Sequence, residues 1–134
     1  HVRMQRHCEN TATIAHFLNN HPKIEKVYWP GFESHPNHKV AKAQMKDYGG
    51  MLSFITKGAN YEAAISIVER LRLFTLAESL GGVESLAGHP ASMTHASIPK
   101  KVREKSGVVD ALIRLSVGIE DVRDLISDLE KAIG

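Results

Sequence analysis

The sequence contains the run Asp110-Ala-Leu-Ile-Arg-Leu-Ser-Val117, which decides the fold of this chain. The run alternates with the period of two that is typical of a β-strand. Ile113, Leu115 and Val117 lie on one face of this strand. Arg114 lies on the opposite face, between smaller or apolar neighbours. We therefore predict a strand that buries one face against other elements of the fold.

Amphipathic helices are predicted on both sides of this strand. Directly after it, Asp121, Leu125, Ile126 and Leu129 mark an amphipathic closing helix, with the acidic Glu120 and Asp121 at its positive N-terminal end. Asn60 is the expected N-cap of a second helix, and Asn37 and Pro99 begin two shorter ones. The first helix ends near Asn20, and the residues of its apolar stripe are Met4, Cys8, Ala12, Ala15 and Leu18.

Further short strands are predicted at 24–28, 50–56 and 73–76, where β-branched and aromatic residues concentrate. Some links between strands are short, and the apolar faces of the helices are one-sided. We therefore predict an α+β fold, a small and largely antiparallel sheet with helices packed on one face. The length of 134 residues fits a single domain, residues 1–134, with one core.

Composition excludes several classes of function. The net charge of +2 and the aromatic content of 6% argue against a nucleic-acid partner. No apolar run approaches the length that spans a bilayer, so we expect no membrane partner. The single cysteine and the absence of a secretory signal fit a cytoplasmic location. Because the chain opens at His1 in helix-like sequence, we expect it to be cut from a longer one.

Polar side chains and adjacent glycines concentrate at Leu76–Leu86 and His89–Ala96. Glycine beside polar residues is typical of a backbone that comes close to a ligand. A plain turn between strands accounts for the glycine pair equally well, and no complete phosphate-binding pattern is present. Arg114 likewise has two interpretations, a solvated side chain or a planar donor for a carboxylate.

No metal site is predicted. His89 and His95 are six residues apart, which matches neither a helical pair nor a zinc motif. His35 and His38 lack an obvious third ligand. We interpret these histidines as turn-stabilising or surface residues, Lys57 as a surface lysine, and Cys8 as a core residue.

Five collinear motifs resemble the Cys/Met-metabolism family of pyridoxal-phosphate enzymes, most closely its cystathionine γ-synthase and γ-lyase branch. The most specific motifs are Phe74-Thr-Leu-Ala-Glu-Ser-Leu-Gly-Gly-Val-Glu-Ser-Leu86 and His89-Pro-Ala-Ser-Met-Thr-His95. The others are Val27-Tyr-Trp-Pro-Gly-Phe-Glu-Ser-His-Pro36, Gly49-Gly-Met-Leu-Ser-Phe54 and Ile113-Arg-Leu-Ser-Val-Gly-Ile-Glu-Asp121.

The resemblance implies that this chain is the C-terminal domain of a fold-type-I enzyme, with residues 1–20 leading in from a large domain. Arg114 would then clamp the substrate α-carboxylate, and Ser79 and Thr94 would face the cleft. Leu80 joins them as a substrate-binding residue. Glu78 resembles the acidic residue of cystathionine-acting members, since the methionine γ-lyase branch usually has an apolar residue there.

The family also implies pyridoxal phosphate as cofactor and a homotetramer for the full-length enzyme. The cofactor lysine would lie upstream of His1, so no catalytic residue is expected in this chain and the isolated fragment should be inactive. The expected reaction is γ-elimination or γ-replacement on a sulfur amino acid. The alternatives are a methionine γ-lyase or cystathionine β-lyase relative, a non-catalytic amino-acid-binding module, and an α+β interaction module.

Overall fold

A computed structural model describes residues 1–58 and 60–134 of the chain. Within these residues the helices are α1 (Val2–Asn20), α2 (His38–Gln44), α3 (Tyr61–Arg70), α4 (Lys100–Lys105) and α5 (Val122–Ile133). The strands are β1 (Ile24–Tyr28), β2 (Met51–Thr56), β3 (Thr75–Leu76), β4 (Leu86–Gly88) and β5 (Leu112–Ser116). The fold is therefore α+β, as the sequence predicts.

The five strands form one sheet in the order β1-β2-β5-β4-β3. Pairing is antiparallel throughout except between β3 and β4, which are parallel. The predicted strand, β5, lies at the centre of the sheet. Its Arg114 pairs with Ser53 on β2 and with Gly88 on β4, which places three residues side by side on one face.

The main hydrophobic core lies on the other face of the sheet. Ile113, Leu115 and Val117 are buried there against Phe54 of β2 and the inner faces of α1, α3 and α5. This confirms the predicted alternation and the packing of these helices on one face. A second, small hydrophobic cluster forms around Ile55, Ala111 and Leu112, next to the Arg114 face.

The buried face of α1 differs from the predicted stripe. Met4 is 42% exposed, and Cys8 and Ala12 are only partly buried. The helix instead buries a face that begins with three polar residues, His7, Asn10 and Thr11, before Ile14, Ala15 and Leu18. The prediction failed because it counted polar residues as solvated, whereas these find hydrogen-bond partners in the interior.

Asn10 shows how this polar face is satisfied. Its side-chain amide donates to the carbonyl of Gly118 at 3.0 Å and to that of Glu120 at 2.8 Å. Both acceptors lie in the loop between β5 and α5. The Asn10 amide therefore satisfies two backbone carbonyls that have no hydrogen bond within a strand or helix. Cys8, beside this face, is half-buried rather than a full core residue.

The strand predicted at 73–76 is shorter than expected, since β3 contains only Thr75 and Leu76. The reason is the buried carboxylate of Asp128 on α5. It accepts the backbone N–H groups of Arg72, Leu73 and Phe74 at distances between 2.8 and 3.2 Å. These amides are thereby withdrawn from sheet pairing. The three-residue strand β4 was not predicted at all, because so short a run carries no visible alternation.

The predicted helix starts at Asn60 and Asp121 are confirmed. Asn60 Oδ1 accepts the N–H of Ala63 at 2.7 Å, and Asp121 accepts that of Arg123 at 2.9 Å. Pro99 occupies the N-cap of α4, one position earlier than the first turn. Among the described residues no helix has the length and apolar character needed to cross a membrane.

Candidate functional site

A shallow depression on the Arg114 face brings together residues from three separate parts of the sequence. Its lining consists of Ala77, Glu78, Gly88, His89, Pro90, Met93, Thr94 and Arg114. Three of the five predicted site residues, Glu78, Thr94 and Arg114, are therefore neighbours in space. Ser79 and Leu80 follow Glu78 on the exposed rim and are not part of the lining.

Arg114 forms the floor of this depression and is half-buried. Its Nη2 donates one long hydrogen bond, 3.4 Å, to the backbone carbonyl of Glu78. None of the ion pairs in the described part of the chain involves Arg114. A guanidinium has five N–H donors in a planar fork, so most of its donors remain available to a carboxylate.

Small residues on both sides leave room for this guanidinium. Ser53 and Gly88 are its cross-strand neighbours on β2 and β4. A Cβ at position 88 would lie 3.8 Å from Arg114 Nη2 and 3.3 Å from the carbonyl oxygen of Ala77. The backbone of β4 therefore approaches the Arg114 guanidinium closely, at a position where glycine has no side chain.

The segment Glu78–Gly82 is an exposed loop whose ends are attached to the sheet. At its start, the N–H of Ala77 donates to the carbonyl of Ala87 at 3.0 Å. At its end, the N–H of Gly81 donates to the Ser116 hydroxyl at 2.8 Å. Gly81 has φ of +78°, a left-handed conformation that favours glycine. Leu80, 55% exposed, points away from the protein's own core.

The turn that carries Thr94 is organised by His89, which is fully buried. Its Nε2 lies 2.6 Å from the carbonyl oxygen of Asp110 and its Nδ1 lies 2.8 Å from the Ser92 hydroxyl. A carbonyl can only accept, so Nε2 carries the proton. His89 is thus a turn-stabilising residue as predicted, although it is an interior and not a surface one. Thr94 Oγ1, by contrast, is exposed and pairs with His95 Nδ1 at 2.8 Å.

A cluster of charges anchors the far side of this turn. The Asp110 carboxylate binds Lys100 Nζ at 2.5 Å and the guanidinium of Arg103. The hydrogen bond from Lys100, followed by that from Arg103, lowers the pKa of the Asp110 carboxyl below its ordinary value. The same contact with Asp110 raises the pKa of Lys100. The charged form of each of these two groups is therefore favoured.

Metal binding finds no support in the described residues. They contain no group of three or more histidine, cysteine or acidic side chains placed to hold an ion. His35 and His38 use their ring nitrogens locally, toward the N–H of Asn37 and the carbonyl of Pro30. Lys57 is exposed at the end of β2, as predicted for a surface lysine.

A larger and more open groove runs between α1 and the segment 45–49. Its apolar lining includes Met4, Cys8, Ala12 and Met45. Met4, Cys8 and Ala12 belong to the predicted apolar stripe of α1 and are exposed or only partly buried, whereas Met45 follows α2. None of the predicted site residues lines this groove, whereas three of them line the smaller depression, so we assign the candidate site to the depression.

Sequence reasoning missed two residues of this site. No strand is predicted at 86–88, so Gly88 is not among the expected site residues. His89 is predicted as a turn-stabilising or surface residue, not as part of a cleft. The available signal was Gly88-His89-Pro90, since glycine and proline mark a loop and loops often carry binding residues.

Comparison with known proteins gives a consistent result over the whole chain. The sequence profile of the family described as Cys/Met metabolism PLP-dependent enzyme matches residues 1–134. A crystal structure of cystathionine gamma synthase from Xanthomonas oryzae pv. oryzae, in complex with aminoacrylate and cysteine, superposes with a TM-score of 0.92 at 47% sequence identity. The superposition covers 98% of this chain and 34% of that one.

Curated relatives have similar identities but different names. L-methionine gamma-lyase of Fusobacterium nucleatum subsp. nucleatum is 54% identical over 98% of this chain, and cystathionine beta-lyase of Coxiella burnetii is 55% identical over 98%. Cystathionine gamma-lyase of Dictyostelium discoideum is 53% identical over 99% of this chain. The matches cover 33%, 34% and 34% of these relatives, so the chain spans about a third of their length.

Proposed function

This chain belongs to the Cys/Met metabolism PLP-dependent enzymes, and from this membership we propose that residues 1–134 form the C-terminal, substrate-binding domain of a longer enzyme. The matches cover about a third of each relative, which supports a longer enzyme. Helix α1 would lead in from a preceding large domain that binds the cofactor. The partners of the domain are then that large domain and an amino-acid substrate.

Arg114 is the proposed anchor of the substrate α-carboxylate. The observation that carries this proposal is a half-buried guanidinium with a single long hydrogen bond, set between Ser53 and Gly88 in a depression. A bidentate pair with a carboxylate would satisfy its remaining donors and orient the amino acid. Glu78, Ser79, Leu80 and Thr94 would form one wall of the cleft around the bound substrate.

The cofactor of the family is pyridoxal phosphate, which supplies the electron sink for chemistry at the α- and β-carbons. No lysine lines the depression in the part of the chain that the structure describes. We propose that the cofactor lysine belongs to the preceding domain, with a Ser-x-Thr-Lys motif as in similar enzymes. The task of this chain is then to hold the carboxylate and shield one side of the reacting amino acid, and the chain alone is inactive.

The proposed reaction is γ-elimination or γ-replacement of the cystathionine γ-lyase or γ-synthase type. Glu78 on the wall of the depression supports an amino-acid substrate with a polar distal end, such as cystathionine. A methionine γ-lyase or cystathionine β-lyase activity is the alternative, favoured by the 54% and 55% identities to relatives of those names. As in similar enzymes, we expect a cytoplasmic homotetramer.

The experiment is an assay of the full-length protein encoded by the genomic reading frame. It compares cystathionine alone, O-succinylhomoserine with cysteine, and methionine as substrates. We expect turnover of cystathionine or formation of it, with methionine a poor substrate. Preference for methionine would overturn the cystathionine assignment but not the domain assignment.

The reading frame itself tests the domain assignment. We expect an upstream segment with the cofactor-lysine motif, and a natural start beside His1 without such a segment would contradict the proposal. Calorimetry on the 134-residue chain with millimolar cystathionine provides the matching control. Tight, Arg114-dependent binding by this chain would instead favour the amino-acid-binding module.

A further inference from the structure

We propose that Arg3 and Ser116 are positioning residues that hold Gly81 from two sides and thereby set the conformation of Glu78–Leu80. The inference rests on the proposed function, since it concerns the loop assigned to the cleft wall. Neither residue touches the depression around Arg114. Both act through the backbone of one glycine.

The two polar groups of the Gly81 backbone have different partners. Its carbonyl accepts a hydrogen bond from Arg3 Nη1 at 2.7 Å, and its N–H donates to Ser116 Oγ at 2.8 Å. Arg3 lies on the first turn of α1, whereas Ser116 is the last residue of β5. The loop is therefore held between the first helix and the central strand, 78 and 35 residues away along the chain.

The Arg3 side chain is itself held in place by His7. Arg3 Nη1 lies 3.2 Å from His7 Nε2, and His7 Nδ1 lies 2.5 Å from the carbonyl oxygen of Val117. Because that carbonyl can only accept, Nδ1 donates and Nε2 is left as an acceptor for the guanidinium. His7 is buried, so an exposed arginine is guided toward Gly81 by an interior residue attached to the end of β5.

The loop between the attachments carries the predicted substrate-binding residues. Ala77 is attached to β4 through the carbonyl of Ala87, and Gly81 is held by Arg3 and Ser116. The intervening residues 78–80 are all exposed, and their side chains contribute nothing to the core clusters. Apart from the long 3.4 Å hydrogen bond from Arg114 to the Glu78 carbonyl, their conformation depends on the two ends of a short span. Release of Gly81 would therefore loosen the wall of the cleft next to Arg114.

The test uses the full-length enzyme and the variants Arg3→Gln, Arg3→Lys and Ser116→Ala, with Arg6→Gln as matched control. Arg6 lies on the same exposed turn but pairs only with Glu9, at 3.6 Å, in the described residues. The first readout is hydrogen exchange of peptides covering residues 77–83. The second is steady-state kinetics with the amino-acid substrate that the wild type turns over.

We expect faster exchange of the loop in Arg3→Gln and Ser116→Ala, partial recovery in Arg3→Lys, and no change in Arg6→Gln. Loss of a hydrogen bond from a charged group should raise KM by about tenfold in Arg3→Gln. We expect kcat to stay within about twofold, because the chemistry occurs on other groups.

Two results would overturn the inference. Unchanged exchange in both variants would show that Gly81 is not held by these residues, whatever the substrate. Faster exchange with an unchanged KM would show that the loop is held but does not position substrate. If the wild-type enzyme has no activity on any sulfur amino acid, the proposed function is refuted, and the positioning role of Arg3 and Ser116 with it. This outcome differs from a failure of the present inference alone, because it is seen in the wild type without any substitution.

Discussion

The Glu120 carboxylate binds Ser85 twice, accepting its backbone N–H at 2.6 Å and its hydroxyl at 2.9 Å. The Ser85 hydroxyl in turn accepts the N–H of Gly118 at 2.8 Å. The approach is close, since a Cβ at position 118 would lie 2.4 Å from the carbonyl oxygen of Val83. This relay joins the end of the glycine-rich loop to the β5–α5 connection.

Substitution Ser85→Ala should therefore lower stability. Ser85 is fully buried, and its loss leaves the Gly118 N–H without its acceptor. We expect the free energy of unfolding to fall by about 1–3 kcal/mol. Urea unfolding of the 134-residue chain, followed by fluorescence of its single, buried tryptophan Trp29, measures the change. Ser97→Ala, at an exposed position, is the control, and equal effects of both would refute the relay.

Arg114→Ala should impair substrate binding in the full-length enzyme. Loss of a bidentate pair with a carboxylate costs about 2–4 kcal/mol, or roughly 30- to 1000-fold in kcat/KM. We expect most of the effect in KM. Arg72→Ala is the matched control, because that arginine is exposed and lies outside the depression. An unchanged kcat/KM in Arg114→Ala would show that the carboxylate binds elsewhere.

The start of α5 should give the protein an acid-dependent component of stability. The side-chain hydrogen bond from Arg123, followed by its backbone N–H, lowers the pKa of Asp121 from 3.8 to about 2. A carboxyl whose pKa is lower in the folded than in the unfolded state stabilises the folded protein. This stabilisation is complete at pH values above the unfolded pKa and is lost as the pH falls through the folded pKa. The window therefore lies between about pH 4 and pH 2.

Comparison of the wild type with Asp121→Asn across this window measures the effect. We expect the difference in urea midpoint to be constant above pH 4 and to narrow toward pH 2. In an Arg123→Gln background, the difference in urea midpoint caused by Asp121→Asn should vary less with pH, because the side-chain donor that lowers the pKa of Asp121 is absent. A difference that grows as pH falls would contradict the assigned sign.

The cap of α3 offers a separate test of local stability. Asn60→Ala removes the acceptor of the Ala63 N–H and should lower the free energy of unfolding by about 1 kcal/mol. Asn60→Asp retains an acceptor and should be nearly neutral. Urea unfolding of the two variants tests the capping role. If position 60 were sensitive to any substitution, Asn60→Ala and Asn60→Asp would lower the free energy of unfolding equally.

Much of the fold follows from local patterns in the sequence. The alternation at 113–117, the cap at Asn60 and the acidic start of the last helix at Asp121 predicted elements that the structure contains, because side-chain period, capping oxygens and the helix dipole act within a few residues. The motifs around Glu78, Thr94 and Arg114 similarly identified the family. The substrate-binding roles of these residues remain predictions, although three of the five predicted positions now lie in one depression.

Other features depended on partners distant in the sequence. The buried polar face of α1 exists because Asn10 finds carbonyls more than 100 residues away, and β3 is short because Asp128 withdraws the preceding amides. No periodicity could predict these contacts, since a polar residue is buried only where the fold supplies its partner.

The sequence by itself determined the family, the α+β class and the residue types of the candidate site. Only the tertiary structure decided how that site is supported: Gly88 lies beside Arg114, His89 stabilises the turn that carries Thr94, and Arg3 and Ser116 bind Gly81. The physical reason is that the motif residues form a recognisable local pattern in the sequence. The residues that hold them in place act through hydrogen bonds to single backbone groups, which leave no such pattern. Such supports become visible only when distant segments meet.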